Sequence, residues 1–347
     1  MTGRPRRRAI QEVTIAHVAK RAGVSGMTVS RTLSGRAPVG AATRERVLRA
    51  IRELRYQPNP AARHLAGGRA PRFGLLYVNP SPAYLSELLV GALTQATQEG
   101  LQLALAGDAD ATGRRREVRA MIRSGVHAFL LPPSVCDDPK LLALLRESGV
   151  RWVAVSPAEP ADHALCVYVN DYEAARTMTA RLVALGHHRI GFIVGDLAYR
   201  AAIDRREGYL RAMADAGLAP GPLVRGRFSF RSSVAASERL LDARPRCTAI
   251  FASNDDMAAG ALAAAHRRGL RVPADVSIVG FDDSPIAATM SPAITTVRQP
   301  IAAMARAAVE LLAQAVEARE REAAPVHQRF DCALVERESS GPAASQR

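Results

Sequence analysis

From Arg72 onward the chain alternates short apolar runs with longer segments of helical periodicity, and this alternation restricts its fold more than any other feature. Residues 73–78 form the first apolar run. A segment with Leu85, Leu88, Leu89 and Leu93 at helical spacing follows, and then a second run at 101–105. The same texture returns at 128–131, 151–155, 190–194, 248–251 and 277–281, with helical segments between. Short apolar runs bounded by turns read as strands buried on both faces, and strand, helix, strand in series gives parallel sheets. Such sheets take ligands beyond the carboxyl ends of their strands. Neither a G-x-G-x-x-G string nor a P-loop string follows any of these runs, so no nucleotide cofactor is expected.

Charge divides the chain differently. Of 47 basic and 33 acidic residues, the first 72 positions hold sixteen basic and three acidic, leaving a body that is almost neutral. The body, about 275 residues, is long enough for two core-building subdomains. The basic module is the candidate for a polyanionic partner. No apolar run approaches the roughly 18 residues of a membrane helix. The cluster Arg4, Arg6, Arg7, Arg8 leads into polar residues rather than a signal-peptide core. The expected location is therefore the cytoplasm, at the nucleoid, without membrane association. Cys136, Cys166, Cys247 and Cys332 are far apart with no C-x-x-C pair, which suggests neither zinc nor disulfides. His187 and His188 are adjacent and point apart, so no metal site is expected.

Within the basic module, Thr14 is placed to cap a helix carrying Ile15, Val18 and Ala19 on one face, which stops at Gly23. Ser25 can cap a second helix over 26–33, with Val29 and Leu33 as an inward pair. Two short helices joined by a tight Gly-Val-Ser turn make a helix-turn-helix. A third helix is predicted over 41–56 with Val47, Leu48, Ile51 and Leu54 inward and its arginines mostly outside; Gln57-Pro-Asn-Pro60 ends it.

The string from Val13 to Ala70, with VS-x-x-TVSR, TRERV, Y-x-PN and AR-x-LA, resembles the headpiece of the LacI/GalR family of bacterial transcription regulators nearly position for position. Three later strings, LVALGHHRIGFIVGD, AIFASNDDMAAGALAAAHRRGLRVPADVSIVGFDDSPIA and SPAITTVRQPIAAMARAAVELL, resemble the two-lobed core of the same family. The resemblance implies an α/β protein: an all-α headpiece followed by a periplasmic-binding-protein-like core with parallel sheets. The expected division is a basic arm, disordered by its sequence character, over 1–12; a DNA-binding domain over 13–58; a hinge helix and linker over 59–71; and a ligand-binding core over 72–338. One lobe would take about 72–168 and 300–328, the other about 169–299 and 329–338, with a disordered tail over 339–347.

The resemblance also implies roles. The second helix would enter the major groove, with Gly26 and Met27 at the base-reading positions and Arg31 as the arginine of VSR. Thr14, Ser25, Thr28 and Ser30 complete that surface. Gly26 has no side chain to read with and Met27 offers an apolar contact, so much of the specificity would fall to Arg31, Ser30, Thr28 and DNA shape. Asn59, Ala62 and Leu65 fall on the family's hinge helix, where Leu65 would wedge into the minor groove. In the core, Tyr84, Ser156, Arg205, Phe228, Asn254, Asp282 and Gln299 match effector-contact positions. An aspartate is common where Ser156 stands. Asp255 and Asp283 read as turn or cap residues and Arg206 as surface. Amides, carboxylates, one guanidinium and an aromatic face suit a hydroxylated ring, and a lone arginine favours a neutral ligand.

The expected function is thus sequence-specific DNA binding by a homodimer on a pseudo-palindromic operator, as a repressor of a carbohydrate-utilisation operon controlled by a small sugar. A regulator using a non-sugar corepressor, or a sugar receptor that binds no DNA, is the alternative. An enzyme built on Asp282 and Asp283 lacks any nucleophile, metal or cofactor motif. The residues after Val335 carry no leucine heptad, which favours a dimer over a tail-built tetramer.

Overall fold

The computed structural model describes residues 14–34, 39–54, 56, 71–107, 110–133, 135–317 and 325–343. The expected basic arm, the side chain of Leu33, the hinge positions Asn59, Ala62 and Leu65, and residues 344–347 lie outside the described residues. The chain forms two compact units, Met1–Ala70 and Pro71–Arg347.

The first unit holds α1 (Ile15–Ala22), α2 (Gly26–Ser34) and α3 (Ala41–Glu53). The Thr14 amide donates to His17 Nδ1 at 3.1 Å where α1 begins, and Gly23 ends it in the left-handed region at φ 66°. Ser25 Oγ accepts from the Thr28 amide at 3.2 Å, satisfying a donor at the start of α2. Val18, Ala19, Ala22, Val29, Val47, Ala50 and Tyr56 form the core. The inward row of α3 departs from expectation: Leu48 is exposed and Ala50 is buried. A stripe through 47, 50, 51 and 54 repeats at helical spacing and leaves position 48 on its rim.

In the second unit, β1 (Arg72–Leu76), α4 (Pro82–Glu99), β2 (Gln102–Ala106), α5 (Ala111–Arg123), β3 (Val126–Leu131), α6 (Pro139–Glu147), β4 (Arg151–Val155) and β5 (Leu165–Val169) build the first lobe. The chain then passes to α7 (Asp171–Ala184), β6 (Ile190–Val194), α8 (Arg200–Asp215), β7 (Leu223–Arg225), α9 (Phe230–Asp242), β8 (Ala249–Ala252), α10 (Asp255–Arg267), β9 (Ser277–Val279), α11 (Pro285–Thr289) and β10 (Thr296–Arg298). It returns through α12 (Ile301–Glu317) and β11 (Val326–Phe330), and ends with β12 (Ala333–Val335).

The first sheet is ordered β11-β5-β4-β3-β1-β2 and the second β7-β6-β8-β9, with every pairing parallel. Alternation along each strand sends side chains to both faces. Leu75, Leu130 and Val153 pack with α4 and α12, whereas Leu76, Phe129 and Leu131 pack with Val118, Leu141 and Leu145. β10 and β12 pair antiparallel as a third, two-stranded sheet.

Two boundaries differ from expectation. β11 pairs with β5 through Phe330, so the last crossing between lobes falls at residues 331–332 rather than at 328/329. Residues 339–343 belong to the second lobe instead of a disordered tail. The Ser339 amide donates to the Ala293 carbonyl at 2.9 Å, and Ser339 Oγ accepts from the Thr295 amide at 2.8 Å. The His187 ring nitrogens meet Thr248 Oγ1 at 3.0 Å and the Gly341 carbonyl at 2.9 Å, which gives that buried histidine a structural role.

Candidate functional site

On the headpiece, α2 presents Met27 at 65% exposure, with Ser30 and Arg31 also exposed. A Cβ built at Gly26 would meet nothing within 4 Å, so the backbone start of α2 is open to an approaching surface. Arg44, Arg46, Arg49 and Arg52 are exposed along α3, and Arg21 pairs with Glu53 at 2.6 Å, tying α1 to α3. The arrangement offers cations and a helix N-terminus to a polyanion.

The second unit brings Tyr84, Ser156, Arg205, Phe228, Asn254, Asp282 and Gln299 around one cavity, joined by Asn79, Ser81, Pro133, Asp171, Tyr199 and Ala201. The topology explains the convergence: apart from Gln299, which follows β10, these residues follow the carboxyl ends of strands in the two parallel sheets, from Asn79 after β1 to Asp282 after β9.

Backbone strain concentrates here. Among the described residues, the non-glycine positions with positive φ are Ser156 (48°), Phe228 (55°), Asp282 (111°) and Asp283 (58°). Three of these line the cavity and the fourth adjoins it. Each such conformation costs on the order of 1–3 kcal/mol and persists where its surroundings fix it, commonly at ligand sites.

A buried charge cluster forms the floor. Arg205 Nε donates to Asp171 Oδ1 at 2.7 Å, Nη1 donates to the Ser253 carbonyl, and Asp282 Oδ1 stands 3.5 Å from Nη1. The guanidinium carbon lies 3.7 Å from the centroid of the Phe281 ring. Gln299 Nε2 donates to Asp282 Oδ1 at 2.6 Å. One guanidinium thus faces two carboxylates. Burial pushes the Asp282 carboxyl up to about 7; Arg205 and Gln299 pull it back and the Asp171 charge adds to the rise. Burial, then the Asp282 and Asp171 charges, also raises the Tyr84 phenol.

Two hydroxyls on the cavity wall are unmatched: Tyr84 Oη and Ser156 Oγ are buried with no hydrogen-bond partner among the described residues. Buried polar atoms without partners are rare, and at a cavity wall they are what a polar ligand would satisfy. Phe228 stands edge-on to Tyr199, with ring centroids 5.6 Å apart. A side chain at Gly195 would place its Cβ 2.2 Å from Phe228 Cζ, so the ring reaches this position because position 195 has none.

Asn254 is more committed than its sequence role suggested. Its Oδ1 accepts from the Met257 amide at 3.0 Å and its Nδ2 donates to the Phe228 carbonyl at 3.2 Å, leaving partial capacity for a ligand. Asp255 accepts from the Ser284 amide and Thr296 Oγ1, and Asp283 pairs with Arg298 and Arg337; neither lines the cavity. Sequence reasoning missed Asp171, Ser81, Tyr199 and Gly195. Ser81 Oγ accepts from the Tyr84 amide at 3.3 Å and donates to Asp256 Oδ2 at 2.9 Å, bridging the first lobe to the second across the cleft.

Residues 14–59 match the model of bacterial regulatory proteins of the lacI family, and residues 179–340 match a periplasmic binding protein-like domain. The HTH-type transcriptional regulator GalS of Salmonella typhimurium is 34% identical over 306 residues, covering 87% of this chain and 89% of that protein. The chain belongs to the LacI family. Among solved structures, a complex of the transcriptional regulator CelR with cellobiose aligns with a TM-score of 0.72 at 31% identity, covering 95% of this chain and 100% of the other. The lac repressor dimer bound to operator and the anti-inducer ONPF aligns at 0.70 and 26% identity, with coverages of 95% and 100%. This LacI-family chain is a DNA-binding transcriptional regulator, and the relatives it matches are regulators rather than enzymes.

Proposed function

We propose that the protein is a homodimeric repressor of a carbohydrate-utilisation operon, working on the nucleoid in the cytoplasm without catalysis and controlled by a neutral sugar held between its lobes. The observation that carries the effector reading is the cavity floor. Arg205 already has Asp171, Ser253 and Asp282 as partners, so among the described residues that line the cavity no cation is left for an anionic ligand, and two carboxyl groups face the one guanidinium. The unmatched Tyr84 and Ser156 hydroxyls and the Phe228 ring suit a hydroxylated ring with one apolar face.

Coupling follows from position. Asp171 and Gln299 stand where the chain crosses between lobes, and both bond into the Arg205–Asp282 cluster. A ligand on that cluster therefore acts on the crossings that set the angle between lobes, and through it on the expected hinge at 59–67. A tenfold change in operator affinity requires about 1.4 kcal/mol of preference for one lobe arrangement. A dimer is supported by the apolar exposure on one side of the first lobe: Val90 and Leu93 on α4 are 58% and 46% exposed, and Leu105 on the edge strand β2 is 52% exposed. Two α2 helices would then read two half-sites of a pseudo-palindrome.

Thermal-shift measurements with mono- and disaccharides on the wild type and on Asp282→Ala test the assignment. Saturable stabilisation that the variant loses supports it; stabilisation undiminished in Asp282→Ala contradicts it.

A further inference from the structure

The cavity is not a closed cell. Ser156, Asp171 and Ala201 line it and also line a second opening, whose other walls include Glu159, Tyr168, Arg200 and Arg329. These three residues are the wall the two spaces have in common, and two of them, Ser156 and Ala201, are small. The buried, unpartnered Ser156 hydroxyl belongs to both walls, so a polar atom passing from one chamber to the other would find a partner beside it.

From this geometry we infer that the effector is longer than one sugar ring: a disaccharide or larger saccharide, with one ring in the first chamber, its linkage beside Ser156, and the next ring in the second. The inference rests on the sugar reading above and adds the ligand's length to it. The second chamber has the chemistry for a ring of hydroxyls. Tyr168 supplies an aromatic surface, while Glu159 and Arg329 supply an acceptor and a donor fork. Arg200 Nε is engaged by Asp204 at 2.7 Å, and Glu159, Asp171 and Asp204 outnumber Arg200 and Arg329. A phosphorylated sugar would meet excess negative charge, whereas neutral hydroxyls use both kinds of partner. A single ring would leave this polar wall to water and gain nothing from it.

Isothermal titration of the full-length protein with glucose and galactose, and with cellobiose, lactose and maltose, tests the inference. At least one disaccharide is expected to bind roughly tenfold or more tightly than its component monosaccharides. In the Glu159→Ala/Arg329→Ala double variant, whose two side chains are exposed, that advantage is expected to shrink to about threefold or less while monosaccharide binding stays as in the wild type. Monosaccharides binding as tightly as disaccharides would overturn the inference and leave the sugar reading standing. Equal weakening of both classes in the variant would also overturn it. If no saccharide of either class binds, the sugar reading falls, and the inference with it. The wild-type comparison stands whether or not the double variant folds.

Discussion

At Asp282, burial and a neighbouring carboxylate oppose ionisation, and the consequence is measurable without any ligand. Its carboxyl titrates at about 7 in the fold, against the ordinary 3.8 in the unfolded chain. Between those values the native state holds the extra proton, so this group's contribution to stability declines as pH rises through that window and is level above it. Asp282→Asn removes the excess charge while Arg205 keeps Asp171. The stability of the variant relative to wild type should therefore grow from pH 5 to pH 8, by on the order of 2 kcal/mol. Melting curves showing a pH-independent difference would contradict the cluster. A second residue-scale expectation concerns α2. With open space around Gly26, Gly26→Gln should fold normally and yet change the operator selected from a random DNA pool, because a side chain with donor and acceptor now stands at the base edges. An unchanged consensus would remove position 26 from the reading surface. Asp282 was legible within the quoted string ending FDDSPIA, and Arg205 and Phe228 in the shorter matches Asp-Arg-Arg-Glu-Gly-Tyr (204–209) and Gly-Arg-Phe-Ser (226–229). Asp171 was not, since in Val-Asn-Asp it reads like any acidic helix start, and its pairing with Arg205 bridges 34 positions of sequence. Gly195 was hidden for a different reason: its role is the absence of a side chain under a ring that only the fold brings there.

Among the elements, α4 carries two distinct duties. Gly91 lets it lie against α12: a Cβ there would stand 2.3 Å from the Ala302 carbonyl oxygen, a backbone atom that cannot turn aside. Gly91→Ala should destabilise the core by about 1–3 kcal/mol, read as a lower denaturation midpoint. At its start, Ser81 both caps the helix that carries Tyr84 and reaches Asp256 in the other lobe. Ser81→Ala should cost about 1 kcal/mol in stability and weaken saccharide binding severalfold, because closure loses its polar bridge. Unaltered binding would show that closure does not use this contact. The apolar strands were visible in sequence as runs, β9 because Gly280 and Phe281 extend its apolar stretch, but β7 and β10 span three residues each, end in arginine and belong to no longer run. β5, at Leu165–Val169, was passed over although it lies inside the first sheet. The end of the chain misled composition altogether: Ser339 is fully buried through hydrogen bonds, and a serine-rich stretch gives no hydrophobic sign of that.

For the whole molecule, the lopsided charge and the cleft describe two tasks in one chain. Six to ten phosphate contacts per dimer would make operator affinity fall as about the fifth to ninth power of salt concentration. Titrations at several salt concentrations check this, and a slope near zero would remove the polyanion from the account. The more demanding claim is that the cleft governs the headpiece. Fluorescence anisotropy on an operator selected from a DNA pool, at fixed salt and with the saccharide that stabilises the protein, tests it most directly. Operator affinity is predicted to change by roughly tenfold or more in the wild type, and the change is predicted to vanish in Asp282→Ala. Superimposable isotherms with and without a saccharide that demonstrably binds the wild type would contradict it.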